Sequence, residues 1–166
     1  YMGNWKIPTT NERVQKITLP NGKEGEYLTD RLTSEALALV EQDHEKPFFL
    51  HFSHYAVHTP FQAKDNITKK YEKIPEAKRQ GKPIYAAMVQ SVDESVGRVM
   101  DALKKLKKLD NTLVIFTSDN GGFAKATNHA PLRGNKGSYY EGGIRVPFII
   151  RWSGVAKAGH VSDVPV

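Results

Sequence analysis

The hydrophobic positions of this chain follow two patterns, a helical one and a strand-like one. Apolar residues recur at steps of three and four from Thr29 to before Pro47, and more clearly between Val89 and Leu106, which predicts two amphipathic helices. Three short apolar runs have the length and composition of strands: residues 47–53, 113–116 and 146–152. Residues 113–116 (LVIF) further predict a strand buried on both faces, as in parallel sheets.

The order of these elements predicts an α/β fold. Helices and strands alternate along the chain, which favours a layered architecture with a largely parallel sheet. Short strands on either side of Asn21-Gly22 predict a hairpin. Thr29 or Asp30 is expected to cap the first helix. The polar connection over residues 56–82 is expected to carry one short helix near residues 66–74 and to act as a functional or lid-like segment.

Composition and charge narrow the function classes. The 166 residues suit one soluble domain, with 39% apolar and 25% charged residues. A net charge of +6 is compatible with a nucleic-acid partner. However, four of the cations lie at a predicted helix end, where they complement the helix dipole: Lys104, Lys105, Lys107 and Lys108. No basic and aromatic motif accompanies them, so no nucleic-acid partner is expected. No run approaches the roughly 20 apolar residues of a membrane span, so no membrane partner is expected either.

The first candidate site follows the 113–116 run. Asp119 and Asn120 end this strand, and open α/β sheets hold their ligands at the carboxyl edge of their strands. Carboxylate and amide oxygens suit a hard cation such as Ca²⁺ or Mg²⁺. The alternative is a plain turn, which Asp, Asn and Gly all favour.

The second candidate is a histidine near the end of the 47–53 run. His58 is expected at the same sheet edge, where it can donate to an anion or transfer a proton; a structural role is the alternative. His51 and His54 lie within or at the end of this run, and for both we favour a core or supporting role.

The third candidate is the glycine-rich loop over residues 131–143. Arg133 and Lys136 lie in it, and exposed backbone N–H groups with nearby cations favour an oxyanion. A solvated basic loop is the alternative. The spacing of a phosphate-binding P-loop is absent. Because the chain has no cysteine, a disulfide framework and a thiolate zinc site are excluded.

Three segments in this order carry a family resemblance: PFFLHFSHYAVHTPF, VIFTSDNGG and APLRGNKGSYYEGGIRVPFIIRW. Together they resemble the sulfatase family, within the alkaline-phosphatase-like superfamily. The resemblance implies a layered α/β/α sandwich with a largely parallel sheet, which this chain holds incompletely. It also implies a sulfate ester of a sugar or aryl group as the substrate, and an exported parent protein.

The resemblance assigns roles residue by residue. Asp119 and Asn120 match the pair that ligates the family's divalent metal, usually Ca²⁺. His58 matches the histidine that contacts the sulfate and helps the leaving oxygen depart, and Lys136 matches the lysine that bridges sulfate and leaving group. Arg133 belongs to the same motif as a candidate substrate contact, with a structural role as the alternative. Within that motif a bracing ion pair is expected between Glu141 and Arg145.

The chain also departs from the family pattern. Sulfatases use a formylglycine made from Cys or Ser in a short motif, and this sequence contains no such motif. The upstream acidic pair of the metal site is missing too. Residues 1–166 are therefore expected to be the central part of a sulfatase catalytic domain, without the nucleophile segment and the C-terminal subdomain, and inactive in isolation. A phosphodiesterase or phosphonate hydrolase of the same superfamily and a non-catalytic binding module are the alternatives.

Overall fold

The computed structural model describes residues 22–166, so the hairpin expected around Asn21-Gly22 lies largely outside the described residues. The elements are α1 (Leu28–Glu41), α2 (Asp65–Glu72), α3 (Pro83–Lys105), β1 (Val114–Thr117), α4 (Glu141–Ile144) and β2 (Phe148–Arg151), with short 3₁₀ turns at Glu76–Lys78 and Leu109–Asn111. The chain divides into two compact units: the first ends at Ala102, and the second comprises Leu103–Val166.

Helix α1 confirms the first predicted helix but begins slightly earlier than expected. Its N-cap is Tyr27, which makes no side-chain cap, and the expected caps Thr29 and Asp30 lie inside the first turn. The helix buries one stripe, formed by Leu28, Thr29, Thr33, Ala36 and Val40. Because two of these positions are threonines, the buried face includes polar positions, and their hydroxyls need partners.

The first part of the connection over residues 56–82 packs against a small core. Helix α2 confirms the short helix expected there, and its Ile67 is buried in a cluster with Ala63, Ala87 and Met88. Ala56 and Val57 pack against the same cluster. The apolar contacts therefore hold the start of this connection against α2 and α3.

Helix α3 confirms the second predicted helix, but its buried face follows the predicted apolar stripe only in part. Val89 is 46% exposed, whereas Met88, Ser91 and Ser95 are buried. The small serine side chains are buried because each hydroxyl finds a hydrogen-bond partner, Ser91 with the carbonyl oxygen of Ala87 at 3.1 Å and Ser95 with Thr33 at 2.6 Å. Neither α3 nor any other helix of residues 22–166 is long and apolar enough to cross a membrane.

The expected strand over residues 47–53 is wrong for the part of the chain that the structure describes. The only strand pairing there joins β1 to β2, and residues 47–53 have no ladder of their own. A strand is defined by hydrogen bonds to a neighbour, and an apolar run cannot supply that neighbour. Phe49 in this run is 92% exposed.

Strands β1 and β2 confirm the other two apolar runs, but they pair antiparallel, with Ile115 opposite Ile150 and Phe116 opposite Ile149. The expected parallel pairing is therefore wrong for the described sheet. Within residues 22–166 β1 is not buried on both faces, since Ile115 is 52% exposed and Phe116 is 38% exposed. Both faces of this two-stranded ladder carry apolar side chains, and no other described strand extends it.

Candidate functional site

The second unit places the Asp119-Asn120 pair directly after β1. The Ser118 hydroxyl donates to the carbonyl oxygen of Asn120 at 3.0 Å, which stabilises a turn at this point. The Asp119 side chain is exposed and its carboxylate has no hydrogen-bond or ion-pair partner among residues 22–166. The turn that the alternative interpretation expected is therefore present, and it leaves the oxygens of the Asp119 carboxylate accessible to a cation.

Two backbone hydrogen bonds tie this turn to the glycine-rich loop. The N–H of Gly121 donates to the carbonyl oxygen of Gly143 at 2.8 Å, and the N–H of Lys136 donates to the carbonyl oxygen of Gly122 at 3.0 Å. A third bond, from the N–H of Gly142 to the carbonyl oxygen of Arg133 at 2.8 Å, closes the loop on itself. The structure therefore brings the Asp119-Asn120 turn and the backbone of Lys136 into one hydrogen-bonded framework.

Glycine is required at several points of this framework because the backbones touch. A Cβ at Gly121 would overlap the carbonyl oxygen of Gly142, and a Cβ at Gly142 would overlap that of Gly134. A Cβ at Gly143 would likewise overlap the carbonyl oxygen of Ser138. Only residues without a side chain permit this approach, which gives the glycines of both sequence segments one shared physical role.

The cations of the loop are held in different ways. The guanidinium of Arg133 stacks on the ring of Tyr140 at 3.7 Å, which favours the structural alternative for Arg133. The expected pair of Glu141 and Arg145 is confirmed, with Arg145 Nη1 3.5 Å from Glu141 Oε2. The Lys136 side chain is exposed, and no side-chain partner for it occurs in the described part of the chain.

His129 lies next to the Asp119-Asn120 turn; from the sequence, a plain loop role is favoured for it over a place in the substrate pocket. Its ring lies against Gly122, so that a Cβ built there would be 2.6 Å from His129 Nε2. The second glycine after the Asp119-Asn120 pair thus makes room for an imidazole. No periodicity marks His129, because its position depends on the loop path rather than on a regular element.

His58 lies in the first unit, at the end of a turn. Its N–H donates to the carbonyl oxygen of Tyr55 at 3.0 Å, and its ring Nδ1 is 2.8 Å from the carbonyl oxygen of Thr59. A carbonyl only accepts, so Nδ1 carries the proton in this contact. In neutral His58, Nε2 is therefore the unprotonated nitrogen, and the exposed ring can exchange a proton there.

The other two histidines of this region differ in burial. His51 is exposed, with its Nε2 3.2 Å from the Ser53 hydroxyl, so of the core or supporting role expected for it the core position is not found within the described residues. His54 lies mostly inside the first unit, its ring 4.2 Å from that of Phe52, and burial lowers its pKa. The core role expected for His54 agrees with this position.

The lowered pKa of His54 predicts a pH dependence of stability. In the unfolded chain this imidazole takes up a proton near pH 6.5, whereas in the folded chain it does so only at lower pH. As the pH falls below about 6.5, the unfolded state binds more protons, so the free energy of unfolding falls by at most about 1.4 kcal/mol per pH unit. Urea unfolding between pH 5 and 8 measures this slope. His54→Gln, which cannot titrate, is expected to flatten it, and an unchanged slope in that variant would contradict the assignment.

A complete metal centre is not formed by the residues described. No group of three or more His, Cys, Asp or Glu side chains among residues 22–166 is arranged to hold a metal ion. Ca²⁺ takes 6–8 oxygen ligands. Asp119 and Asn120 match such an ion in donor type, but two side chains are fewer than its coordination requires.

Comparisons with known proteins agree on one family. A family model described as Sulfatase matches residues 1–166. The chain is 39% identical over 147 residues to a sulfatase of Formosa agariphila, covering 82% of this chain and 27% of that protein. It is 39% identical over 149 residues to arylsulfatase H of Homo sapiens, covering 84% and 25%. The crystal structure of Ps i-CgsB in complex with k-i-k-neocarrahexaose matches with 43% identity, 80% and 29% coverage and a TM-score of 0.68. The chain thus spans about a quarter of the length of these curated relatives.

Proposed function

Because this chain belongs to the sulfatase family, we propose that it supplies metal- and sulfate-binding residues to a sulfuric ester hydrolase. In this proposal residues 1–166 form the central part of the catalytic domain. The observation that carries it is the framework described above, in which the Asp119-Asn120 turn and the Lys136 loop are joined by backbone hydrogen bonds. Two segments matched to the family separately thereby become one structural unit.

Asp119 and Asn120 are the proposed metal ligands in this chain. The exposed, unpaired carboxylate of Asp119 and the amide oxygen of the half-buried Asn120 suit a hard divalent cation such as Ca²⁺. When bound, such an ion stabilises negative charge on the sulfate oxygens. Since two neighbouring side chains provide too few oxygens, we expect the 166-residue chain by itself to bind Ca²⁺ weakly and to hydrolyse no aryl sulfate. Formylglycine is likewise supplied by no residue of this chain, because its sequence contains neither a cysteine nor a serine in the formylglycine motif.

His58 and Lys136 are the proposed catalytic residues. Cleavage of a sulfate ester develops negative charge on the sulfuryl oxygens and on the departing oxygen. A lysine ammonium stabilises this charge, and protonated His58 can donate from Nε2 because its Nδ1 is engaged by the carbonyl oxygen of Thr59. Arg133, stacked on Tyr140, supports the loop and is proposed as at most an outer contact of the sulfate.

The fold proposal follows the family as well. We propose that β1 and β2 belong to a larger layered α/β/α sandwich, as the alkaline-phosphatase-like superfamily implies. The support is the apolar character of both faces of this two-stranded sheet, including Ile115, Phe116, Ile149 and Ile150, all 38–59% exposed within the described chain. A sheet with two apolar faces needs cover on both sides.

Substitution of Lys136 tests the proposed site. In the whole protein, Lys136→Ala is expected to lower kcat/KM for an aryl sulfate by about 10²–10³-fold, because one preorganised cation is lost from the developing charge. Lys125→Ala removes another exposed lysine of the same unit and serves as the matched control, with activity expected to stay within about twofold.

The outcomes separate the candidate functions. Loss of sulfate ester hydrolysis in the Lys136 variant alone supports the proposal. Equal losses of kcat/KM in Lys136→Ala and Lys125→Ala would indicate an effect of the overall positive charge rather than of a specific site. Hydrolysis of a phosphodiester but no sulfate ester by the whole protein would favour the phosphodiesterase alternative, and no hydrolysis at all would favour a binding module.

A further inference from the structure

A buried chain of polar side chains links His54 to helices α1 and α3. His54 Nε2 lies 3.4 Å from the Ser95 hydroxyl oxygen, and Ser95 Oγ lies 2.6 Å from Thr33 Oγ1. Thr33 Oγ1 in turn donates to the carbonyl oxygen of Thr29 at 2.6 Å. Ser95 and Thr33 are buried, and these contacts join positions 41 and 62 residues apart in sequence.

The number of protons available on each side chain determines which group donates and which accepts in these hydrogen bonds. The only hydroxyl proton of Thr33 is donated to the carbonyl oxygen of Thr29, so Thr33 accepts the proton of Ser95. Ser95 has no second proton, so it accepts from His54 and Nε2 must carry hydrogen. His54 Nδ1 is then the unprotonated nitrogen, and it is buried without a hydrogen-bond partner in the described residues. His54 and His58, four positions apart, are therefore held in opposite tautomers.

Helix α3, which carries Ser95, also contacts the segment that carries His58. Directly after His54, the turn Tyr55–His58 is closed by the hydrogen bond to the Tyr55 carbonyl oxygen. Ala56 and Val57, inside this turn, pack against the cluster that contains Met88. Met88 and Ser95 are separated by two turns on one side of α3, so α3 holds the segment at His54 and again at the turn.

We propose that His54 is a positioning residue for His58: its Nε2–H, received by the buried Ser95–Thr33 pair, orients the turn that presents the His58 ring to the sulfate ester. This inference rests on the proposed function for the role of His58. The polar chain itself is independent of any ligand. His54 does not touch the substrate in this assignment, and it acts only through the backbone of residues 54–58.

Two substitutions at one position test the hydrogen bond apart from the ring. In His54→Gln the amide NH₂ can reach the place of Nε2, whereas in the shorter His54→Asn it lies near the place of Nδ1. Both variants lose the ring contact with Phe52 equally. In the whole protein we expect His54→Asn to lower kcat for an aryl sulfate by about 10–100-fold with KM nearly unchanged, since small misplacements of a catalytic group have effects of this size. His54→Gln is expected to restore most of this loss.

A matched pair on α3 separates positioning from general packing. Ser95→Ala removes the acceptor of His54, while Ser91→Ala removes an equally buried hydroxyl whose only partner among residues 22–166 is the Ala87 carbonyl oxygen. We expect the kcat loss and a shift of the pH profile of kcat in Ser95→Ala but not in Ser91→Ala. Equal kcat values for His54→Asn and His54→Gln, or for the two serine variants, would overturn the proposal.

A spectroscopic readout makes the result independent of the proposed function. ¹⁵N NMR of the histidine rings in the whole protein reports each tautomer, and we expect Nε2–H for His54 and Nδ1–H for His58. In Ser95→Ala the His58 ring signals are expected to shift, and in Ser91→Ala they are not. If the whole protein hydrolyses no sulfate ester, the proposed function is wrong, but these NMR signals still show whether His54 positions the His58 ring. An Nδ1–H tautomer for His54 would overturn the positioning itself.

Discussion

Replacing Gly142 by alanine is expected to lower the free energy of unfolding of the whole protein by about 3 kcal/mol. The new methyl group would overlap the carbonyl oxygen of Gly134 and lie 2.8 Å from that of Arg133. These atoms are backbone, so they cannot move aside as a flexible side chain could. The hydrogen bond from the Gly142 N–H to the Arg133 carbonyl oxygen would be lost with the displacement.

This substitution should also separate the two halves of the proposed site. We expect faster amide hydrogen exchange at Gly121 and Lys136, the two donors that join the Asp119-Asn120 turn to the loop. Activity toward an aryl sulfate should fall by more than about 10²-fold, because the proposed ligands and Lys136 would no longer be held together. Urea unfolding, amide exchange and steady-state kinetics on the same variant provide the three measurements.

The matched control is the same substitution at Gly97. This glycine is exposed within α3, and apart from the adjacent helix backbone a Cβ there would meet no atom of the described residues within 4 Å. Gly97→Ala is therefore expected to raise the free energy of unfolding by about 0.5–1 kcal/mol through the helix propensity of alanine. A Gly142 variant as stable as the wild type would show that the interlocked backbone is not the arrangement in solution.

Truncating Ile149 or Ile150 is expected to destabilise the whole protein by about 2–5 kcal/mol each. These residues point to opposite faces of β2, opposite Phe116 and Ile115 respectively. Within the described chain they are 59% and 46% exposed, and truncation of an exposed side chain normally changes stability by less than about 0.5 kcal/mol. The size of the loss therefore reports whether both faces of the sheet are covered, as the layered sandwich requires.

The control for this experiment is Val161→Ala. Val161 is 83% exposed and lies outside the helices and strands, so its truncation should leave the free energy of unfolding within about 0.5 kcal/mol. Urea unfolding of the three variants, Ile149→Ala, Ile150→Ala and Val161→Ala, is the measurement. Values for both isoleucines equal to that of Val161 would argue against a sheet sandwiched between two layers.

Local patterns predicted the helices well because a helix is stabilised by contacts three and four residues apart. Helices α1, α2 and α3 lie close to where their sequences predict them. The ion pair of Glu141 and Arg145 is also local, and it forms as expected. The buried face of α3 also includes Ser91 and Ser95, which the hydrophobic pattern did not predict. Both can be buried because their hydroxyls form hydrogen bonds, and a hydrophobicity pattern carries no information on such bonds.

Strand pairing could not be predicted in the same way. Apolar runs located β1 and β2, yet a run does not encode the direction of its neighbour. The run over residues 47–53 resembles a strand equally well, and it has no ladder partner in the part of the chain described. Each of these outcomes depends on which segment lies alongside, which is a property of the folded chain.

The sequence by itself determined the family of this protein, because the order of its three motifs is a covalent property that needs no folding to be recognised. It also named Asp119, Asn120, His58 and Lys136, whose proposed chemistry depends on residue type. Only the tertiary structure decided how the glycines interlock the turn with the loop, and how His54 joins Ser95 and Thr33. These contacts connect positions far apart in the chain, and such positions become neighbours only when backbone approach and burial bring them together.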